Sequence, residues 1–226
     1  MDRRAFVTTG FAAGAGLSLG AVEAAAQDKP KVRILGISCS PRKGKTTSQA
    51  VRVALDAAKA VSPNVEIELV ELAGMKFDAA VAAGQPSVFG SEDQFDSIAA
   101  KVRDASVAGI IIGTPVYFGC MSALCKAFID RCIALRKDFA LADKVLGVVA
   151  VGGNRNGGQE LTIDAVQQCL MAQEMIVVGD GRPTAHRGGT VVNSKDDIST
   201  DETGVATCKN VGRRVAEVAL KVRGAK

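Results

Sequence analysis

Between Val32 and Val222 the chain changes repeatedly between two hydrophobic rhythms. Val32 to Ser38 is a short apolar, β-branched run ending in a polar loop, the pattern of a buried strand. From Thr46 to Val61 the apolar positions Val51, Ala54, Leu55 and Ala58 recur at intervals of three and four, which places them on one helical face. Val65 to Leu72 alternates strictly between apolar and acidic residues and predicts a strand with one solvated face. Gly74 to Glu92 has no clean period and reads as a loop insertion. A helix is expected over Asp93 to Ser106, a buried strand over Val107 to Thr114, and a helix over Met121 to Arg136. Lys144 to Gly152 repeats the buried-strand pattern, Gly158 to Gln173 the helical one, and Met175 to Asp180 reads as a fifth strand. After a polar, Gly-rich loop, Asp201 to Val222 closes the chain as a helix with Val205, Val211, Val215, Val218 and Val222 on its apolar face.

Strands that alternate with helices predict an open parallel α/β sheet, because each parallel connection needs a crossover. Such sheets bind ligands in the loops beyond the carboxyl ends of their strands. The residues that follow each strand are therefore the ones to read for chemistry.

The first 26 residues have a different character. Arg3 and Arg4, with Phe6 close behind, precede a weakly apolar stretch from Gly10 to Val22, and Ala24-Ala25-Ala26 offers a small-residue cleavage site. That order reads as a secretory signal, and the paired arginines with a Gly- and Ala-rich apolar region resemble the twin-arginine export type. The apolar run is shorter than the roughly 20 residues that span a bilayer. The expectation is a signal peptide over 1–26, a single domain over 27–226, a periplasmic location and no stable membrane insertion.

Composition narrows the function classes. With 47% hydrophobic and 23% charged residues the chain is ordinary globular material. Aromatics are 4%, which argues against stacking platforms for single-stranded nucleic acid, and a net charge of +4 spread along the chain indicates no nucleic-acid partner. The single histidine excludes His-rich metal sites.

The loop after the first strand, Ser38 to Ser48, holds five hydroxyl side chains in eleven residues together with Arg42, Lys43, Gly44 and Lys45. One helix cap needs one hydroxyl, so this loop is read as an anion site: the amides of a helix N-terminus, hydroxyl donors and cations in one place. Two phosphate motifs compete. The Walker A pattern fits at Gly44-Lys45-Thr46, but its first glycine falls on Cys39, where the backbone must wrap the phosphates. Asp180, ending the fifth strand, would be the matching magnesium ligand of that nucleotide hydrolase.

The second motif is more specific. Ser40, Pro41, Arg42, Gly44 and Thr47 resemble the phosphate loop of the flavodoxin-like NAD(P)H-dependent FMN reductases and the related iron–sulfur flavoproteins, with Thr46 where that loop usually has Asn. Thr114 to Ser122, followed by Leu124 and Lys126 to Arg131, is similar to the same family's ring-binding segment. Gly152 to Glu160, with four glycines in its first seven residues, resembles the segment that borders the flavin ring and the dimer partner. The resemblance runs from about Val32 to about Thr190.

It implies a flavodoxin-like three-layer α/β sandwich with a five-stranded parallel sheet and FMN as cofactor. Ser38, Ser40, Arg42, Lys45, Thr46 and Thr47 would hold the phosphate. Pro115, Val116, Tyr117, Phe118 and Gly119 would frame the isoalloxazine ring, with Gly153, Asn154, Gly157 and Gly158 on its other border. No residue of the chain is assigned as a catalytic acid or base, because the flavin carries the redox chemistry. The implied donor is NADH or NADPH, the acceptor a quinone, free flavin, metal oxyanion or redox protein, and the assembly a homodimer or homotetramer. Nicotinamide nucleotides are scarce outside the cytoplasm, so export keeps a second reading open, a non-catalytic flavodoxin-type electron carrier.

The sequence also departs from the iron–sulfur members. Their compact cysteine cluster lies between the second strand and the next helix, and Gly74 to Glu92 contains no cysteine. A cubane cluster needs four thiolates within reach. The six cysteines include no C-x-x-C pair. Cys125 and Cys132, seven apart on one helix, lie about 10 Å apart along its axis, too far for a disulfide. Core packing is the expectation for most of the six. Cys39 and Cys120, in the flavin loops, are candidates for redox-active thiols, and His186 is a candidate for substrate contact.

Overall fold

The computed structural model describes residues 31–224. The proposed export signal lies outside the described residues. Among the described residues seven strands and six α-helices follow one another in the order β1 (Val32–Ser38), α1 (Thr46–Lys59), β2 (Val65–Glu71), α2 (Phe95–Arg103), β3 (Val107–Tyr117), β4 (Cys120–Met121), α3 (Ala123–Arg131), α4 (Ile133–Arg136), β5 (Val145–Gly152), α5 (Gln159–Met171), β6 (Ile176–Val177), β7 (Gly189–Val192) and α6 (Glu202–Gly224). The sheet runs β2-β1-β3-β5-β6, all parallel, with β7 also pairing parallel to β5 and only β4 antiparallel.

Helices cover both faces, as expected of a sheet whose central strands are apolar throughout. One core joins the sheet to α2, α3 and α5 through Phe95, Phe128, Ile163 and Leu170. The other joins it to α1 and α6 through Val51, Leu55, Val211 and Val215. Small residues set the depth of α1. A Cβ at Gly36 would lie 2.6 Å from Val51 Cγ1 and 2.7 Å from Leu55 Cδ1, and one at Gly113 would fall well inside contact with Val51 Cγ2 and 3.2 Å from Thr47 Cγ2. Missing side chains on β1 and β3 thus let the first turns of α1 rest against the strand ends. That close seat brings the β1–α1 loop over the edge where ligands bind in such sheets.

Three expectations need correction. The fifth strand is interrupted: only Ile176–Val177 pairs beside Val145 and Leu146, and after a loop Gly189–Val192 takes over beside Val149 to Gly152. With that strand split in two and the short antiparallel β4 added, the described sheet counts seven strands rather than five. Asp180 leaves the sheet because its buried carboxylate accepts from the Thr184 hydroxyl and the His186 amide and organises that loop. Second, β3 extends through Tyr117 and turns back at Phe118-Gly119 into β4, so Pro115 to Tyr117 are strand residues rather than loop. A proline is tolerated there because β3 pairs at that point with β5 on one side only. Third, the helix expected over Met121 to Arg136 breaks at Cys132, which caps α3 and opens α4.

The segment between β2 and α2 is short turns, as its lack of period implies, yet it is firmly tied down. Asp93 and Arg131 form a 2.5 Å ion pair whose side chains are 12% and 8% exposed, and the guanidinium lies 4.5 Å over the Phe95 ring. Arg131 also reaches the Asp78 carbonyl, and Asp93 accepts from the Ser87 hydroxyl and the Phe95 amide.

Candidate functional site

Three strand ends converge. From the last residue of β1 onward, Ser38, Ser40, Thr46, Thr47 and Ser48 are all buried, while Arg42 and Lys45 stand about half exposed. No side chain caps α1 and its first turn carries no acidic residue, so its leading amides have no intrahelical partner. Ser40 Oγ accepts from the Arg42 amide at 3.1 Å, and Gly44, at φ +68°, turns the loop into the helix.

The donors of this loop already hold protein carboxylates. Glu71 Oε1 accepts from the Gly44 amide at 2.7 Å. Asp196 Oδ1 lies 2.6 Å from Arg42 Nη1 and its Oδ2 3.2 Å from Lys45 Nζ. Those two cations hold the Asp196 carboxyl below the usual range. The donor set is thus anion-receptive, which is the chemistry a flavin phosphate needs.

Ser122, not singled out from the sequence, locks the β1 loop to the end of β3. Its hydroxyl donates to the Cys39 carbonyl at 2.7 Å and accepts from the Cys125 amide, capping α3, while its own amide donates to Thr114 Oγ1 at 3.1 Å. A serine just ahead of an apolar helical run was the available signal. Asp196 and Glu71 had no such signal, because each meets the loop only through the fold.

At the end of β3 the hairpin tip carries the chain's only tyrosine, 46% exposed, beside a fully exposed Phe118 at φ +50°. The Gly-rich loop after β5 reaches this hairpin directly. Gly158 has φ +99°, and a Cβ there would lie 2.9 Å from Gly119 Cα and 3.4 Å from Val116 Cγ1. No other residue would allow that approach in that backbone conformation. Asn154 and Gly157 form the turn itself: the Asn154 carbonyl accepts from the Gly157 amide at 3.2 Å and from Gln159 Nε2 at 2.7 Å. Gly153 has open space around its Cα. His186 and Gly158 both line a cavity of about 460 Å³ with Asn156 and Leu161, so the histidine is beside the Gly-rich loop. The loop after β1, the hairpin and the Gly-rich loop thus lie at one edge of one sheet.

The sequence model of the NADPH-dependent FMN reductases matches residues 32–189. The chain belongs to this family. It is an FMN-dependent oxidoreductase of the NAD(P)H-dependent FMN reductase type. An iron–sulfur flavoprotein of Methanocaldococcus jannaschii is 40% identical over 196 residues, 85% of this chain and all of that relative. A NAD(P)H dehydrogenase (quinone) of Geobacter sulfurreducens is 30% identical over 135 residues, 53% of this chain and 66% of the other. Among solved structures, a flavone reductase shares the fold with a TM-score of 0.63 at 21% identity, over 86% of this chain and 65% of its own.

The residues fit a flavin phosphate and do not fit an iron–sulfur cluster. Among the described residues no group of three or more His, Cys, Asp or Glu is placed to hold a metal ion. All six cysteines are free thiols. Burial pushes the Cys39 thiol well up, with Cys125 beside it adding to the effect, and pushes Cys132 to about 12. A buried, protonated thiol is a poor nucleophile. Only Cys120, at the hairpin tip, is exposed. Among the described residues no helix is long and apolar enough to cross a membrane.

Proposed function

We propose that the loop after β1 holds the FMN phosphate and that the β3–β4 hairpin and the Gly-rich loop flank the isoalloxazine ring. The carrying observation is the juxtaposition of an uncapped helix start, two cations and buried hydroxyls with a Gly158–Gly119 contact that closes the other two loops together. Ser38, Ser40, Thr46 and Thr47 supply hydroxyls, and Arg42 and Lys45 the opposing charge. Pro115 and Val116 hold the hairpin rigid as strand residues, while Tyr117, Phe118 and Gly119 form its tip. Gly153, Asn154, Gly157 and Gly158 form the turn that would bring backbone close to the ring, and Gly158 already meets the hairpin at Gly119 with no room for a Cβ between them. FMN held there would supply the redox chemistry, with NAD(P)H as the electron donor. The protein's part is to orient the ring and limit water around it.

The acceptor in this reading is a small molecule that enters beside the hairpin, a quinone, free flavin or metal oxyanion, with a redox protein as the alternative. Export by the twin-arginine route to the periplasm fits the paired Arg3 and Arg4 and a cofactor loaded before transport. A homodimer or homotetramer fits the apolar side chains left open next to the site, fully exposed Phe118 and largely exposed Leu161.

The visible spectrum of protein purified from its native host tests the cofactor assignment. Flavin bands at about 375 and 450 nm are expected. A colourless preparation that takes up no added FMN refutes it. Turnover of NAD(P)H with an acceptor separates the enzyme from a carrier that only exchanges electrons with a redox protein.

A further inference from the structure

The loop that follows β7 carries two successive non-glycine residues in the left-handed region, Lys195 at φ +52° and Asp196 at φ +65°. Such residues are uncommon singly and cost conformational energy, so a pair of them needs a compensating fixture. The fixture is a closed turn. The Asn193 amide donates to the Gly152 carbonyl at 2.8 Å, Asn193 Oδ1 accepts from the Asp196 amide at 2.9 Å, and Ser194 and Asp197 exchange two backbone bonds of 2.9 and 3.0 Å. Gln49 Nε2, on α1, lies 3.4 Å from the Asp196 carbonyl. The product of this turn is one carboxylate set between Arg42 and Lys45, two side chains more than 150 positions away in the chain.

We propose that Asp196 is a built-in counter-ion that competes with an incoming phosphate for Arg42 and Lys45, and so sets how strongly the protein prefers FMN to riboflavin. The proposal rests on the assignment of the β1–α1 loop to the phosphate. With Asp196 in place the two cations present a net single positive charge rather than two. A phosphate must draw them from the carboxylate or accept its repulsion at close range. Riboflavin, which has the same ring system and no phosphate, meets neither cost. The contact also holds two long, half-exposed side chains beside the loop, so the phosphate finds them nearby rather than dispersed in solvent.

Titration of the full-length protein with FMN and with riboflavin, followed by quenching of flavin fluorescence at low salt, tests this. Asp196→Asn is expected to bind FMN about three- to tenfold more tightly, the range for one charge removed at a partly exposed site, and riboflavin within twofold of the wild type. Added salt is expected to shrink the gain. Asp197→Asn removes the same charge one position along, where the carboxylate is held by Ser199 instead of a cation, and is expected to leave the FMN-to-riboflavin ratio unchanged. Unaltered or weaker FMN binding by Asp196→Asn overturns the proposal, as does an equal shift for both flavins or the same gain from Asp197→Asn. Wild-type protein that binds FMN no better than riboflavin overturns the phosphate assignment itself, and the counter-ion role with it. Thermal melts of each variant confirm that the compared proteins are folded.

Discussion

Substituting Gly113 by alanine tests whether the seat of α1 on the sheet governs the phosphate loop. The added methyl falls short of ordinary contact with Val51 Cγ2 by more than an ångström, and it also crowds Thr47 Cγ2 at 3.2 Å. Val51 is fully buried and β-branched, so it has little rotamer freedom to escape. The strain is relieved by moving the first turns of α1 outward, and Thr46 and Thr47 move with them. Overpacking of this kind costs about 1–3 kcal/mol. In a domain of this size each kcal/mol lowers Tm by about 2–4 °C, so a drop of about 2–12 °C is expected. Misplacing one phosphate-directed hydrogen bond adds about a tenfold loss of FMN affinity. Gly147→Ala is the matched control. Its methyl would lie 2.6 Å from Val215 Cγ2 and 2.7 Å from Val211 Cγ1, both on α6, away from the loop. Differential scanning calorimetry and FMN titration of both variants decide the matter. Similar melting losses with FMN binding impaired only in Gly113→Ala support the reasoning. Gly113→Ala that is destabilised yet binds FMN like wild type, or equal binding losses in both, refutes it.

Other outcomes follow from single contacts. Arg42→Gln and Lys45→Gln are expected to weaken FMN about tenfold or less while sparing riboflavin, read by the same titration. Burial alone would raise the Asp93 carboxyl, but the Arg131 guanidinium, the Ser87 hydroxyl and the Phe95 amide together bring it to about 2. Its native pKa is thus below the unfolded value, so it contributes stability above about pH 4 that is lost as pH falls toward 2. Asp93→Asn should remove that slope in urea titrations across the window and cost about 3 kcal/mol by leaving buried Arg131 unpaired. Lys144, buried and donating to the Asp104 and Val107 carbonyls, is lowered to about 8 by burial and by nearby Arg223. The unfolded chain then binds the extra proton between about pH 8 and 10.4, so this group makes stability rise with pH across that range, and Lys144→Met flattens the rise. In the native protein one thiol, Cys120, should react rapidly with a maleimide, and saturating FMN should slow that reaction. Equal labelling with and without FMN would count against the hairpin as a ring contact.

Much of this protein was legible along the chain because its information is local. The buried runs at Val32, Val107 and Lys144 and the helical spacing of Val51, Ala54, Leu55 and Ala58 fix strand and helix without reference to the rest of the fold. The hydroxyl-rich loop after β1, the Tyr117-Phe118 pair and the glycines around Gly158 fall at or just beyond strand ends, which is where a parallel sheet uses them. The family resemblance read from those segments agrees with the match over residues 32–189.

The tertiary structure decided what depends on partners distant in sequence. An apolar run cannot announce that its edge strand will break after Val177 and resume at Gly189, because the break follows from Asp180 turning into its own loop. Arg131 reads as one more charge on a helix until it is found buried against Asp93 and Phe95. Asp196 reads as a loop aspartate until a strained turn delivers it to Arg42 and Lys45. Secondary structure and loop chemistry are set by neighbours a few residues apart, so the sequence determined them. Pairings of charge and the depth of helix packing are set by three-dimensional proximity, and only the folded chain could decide those.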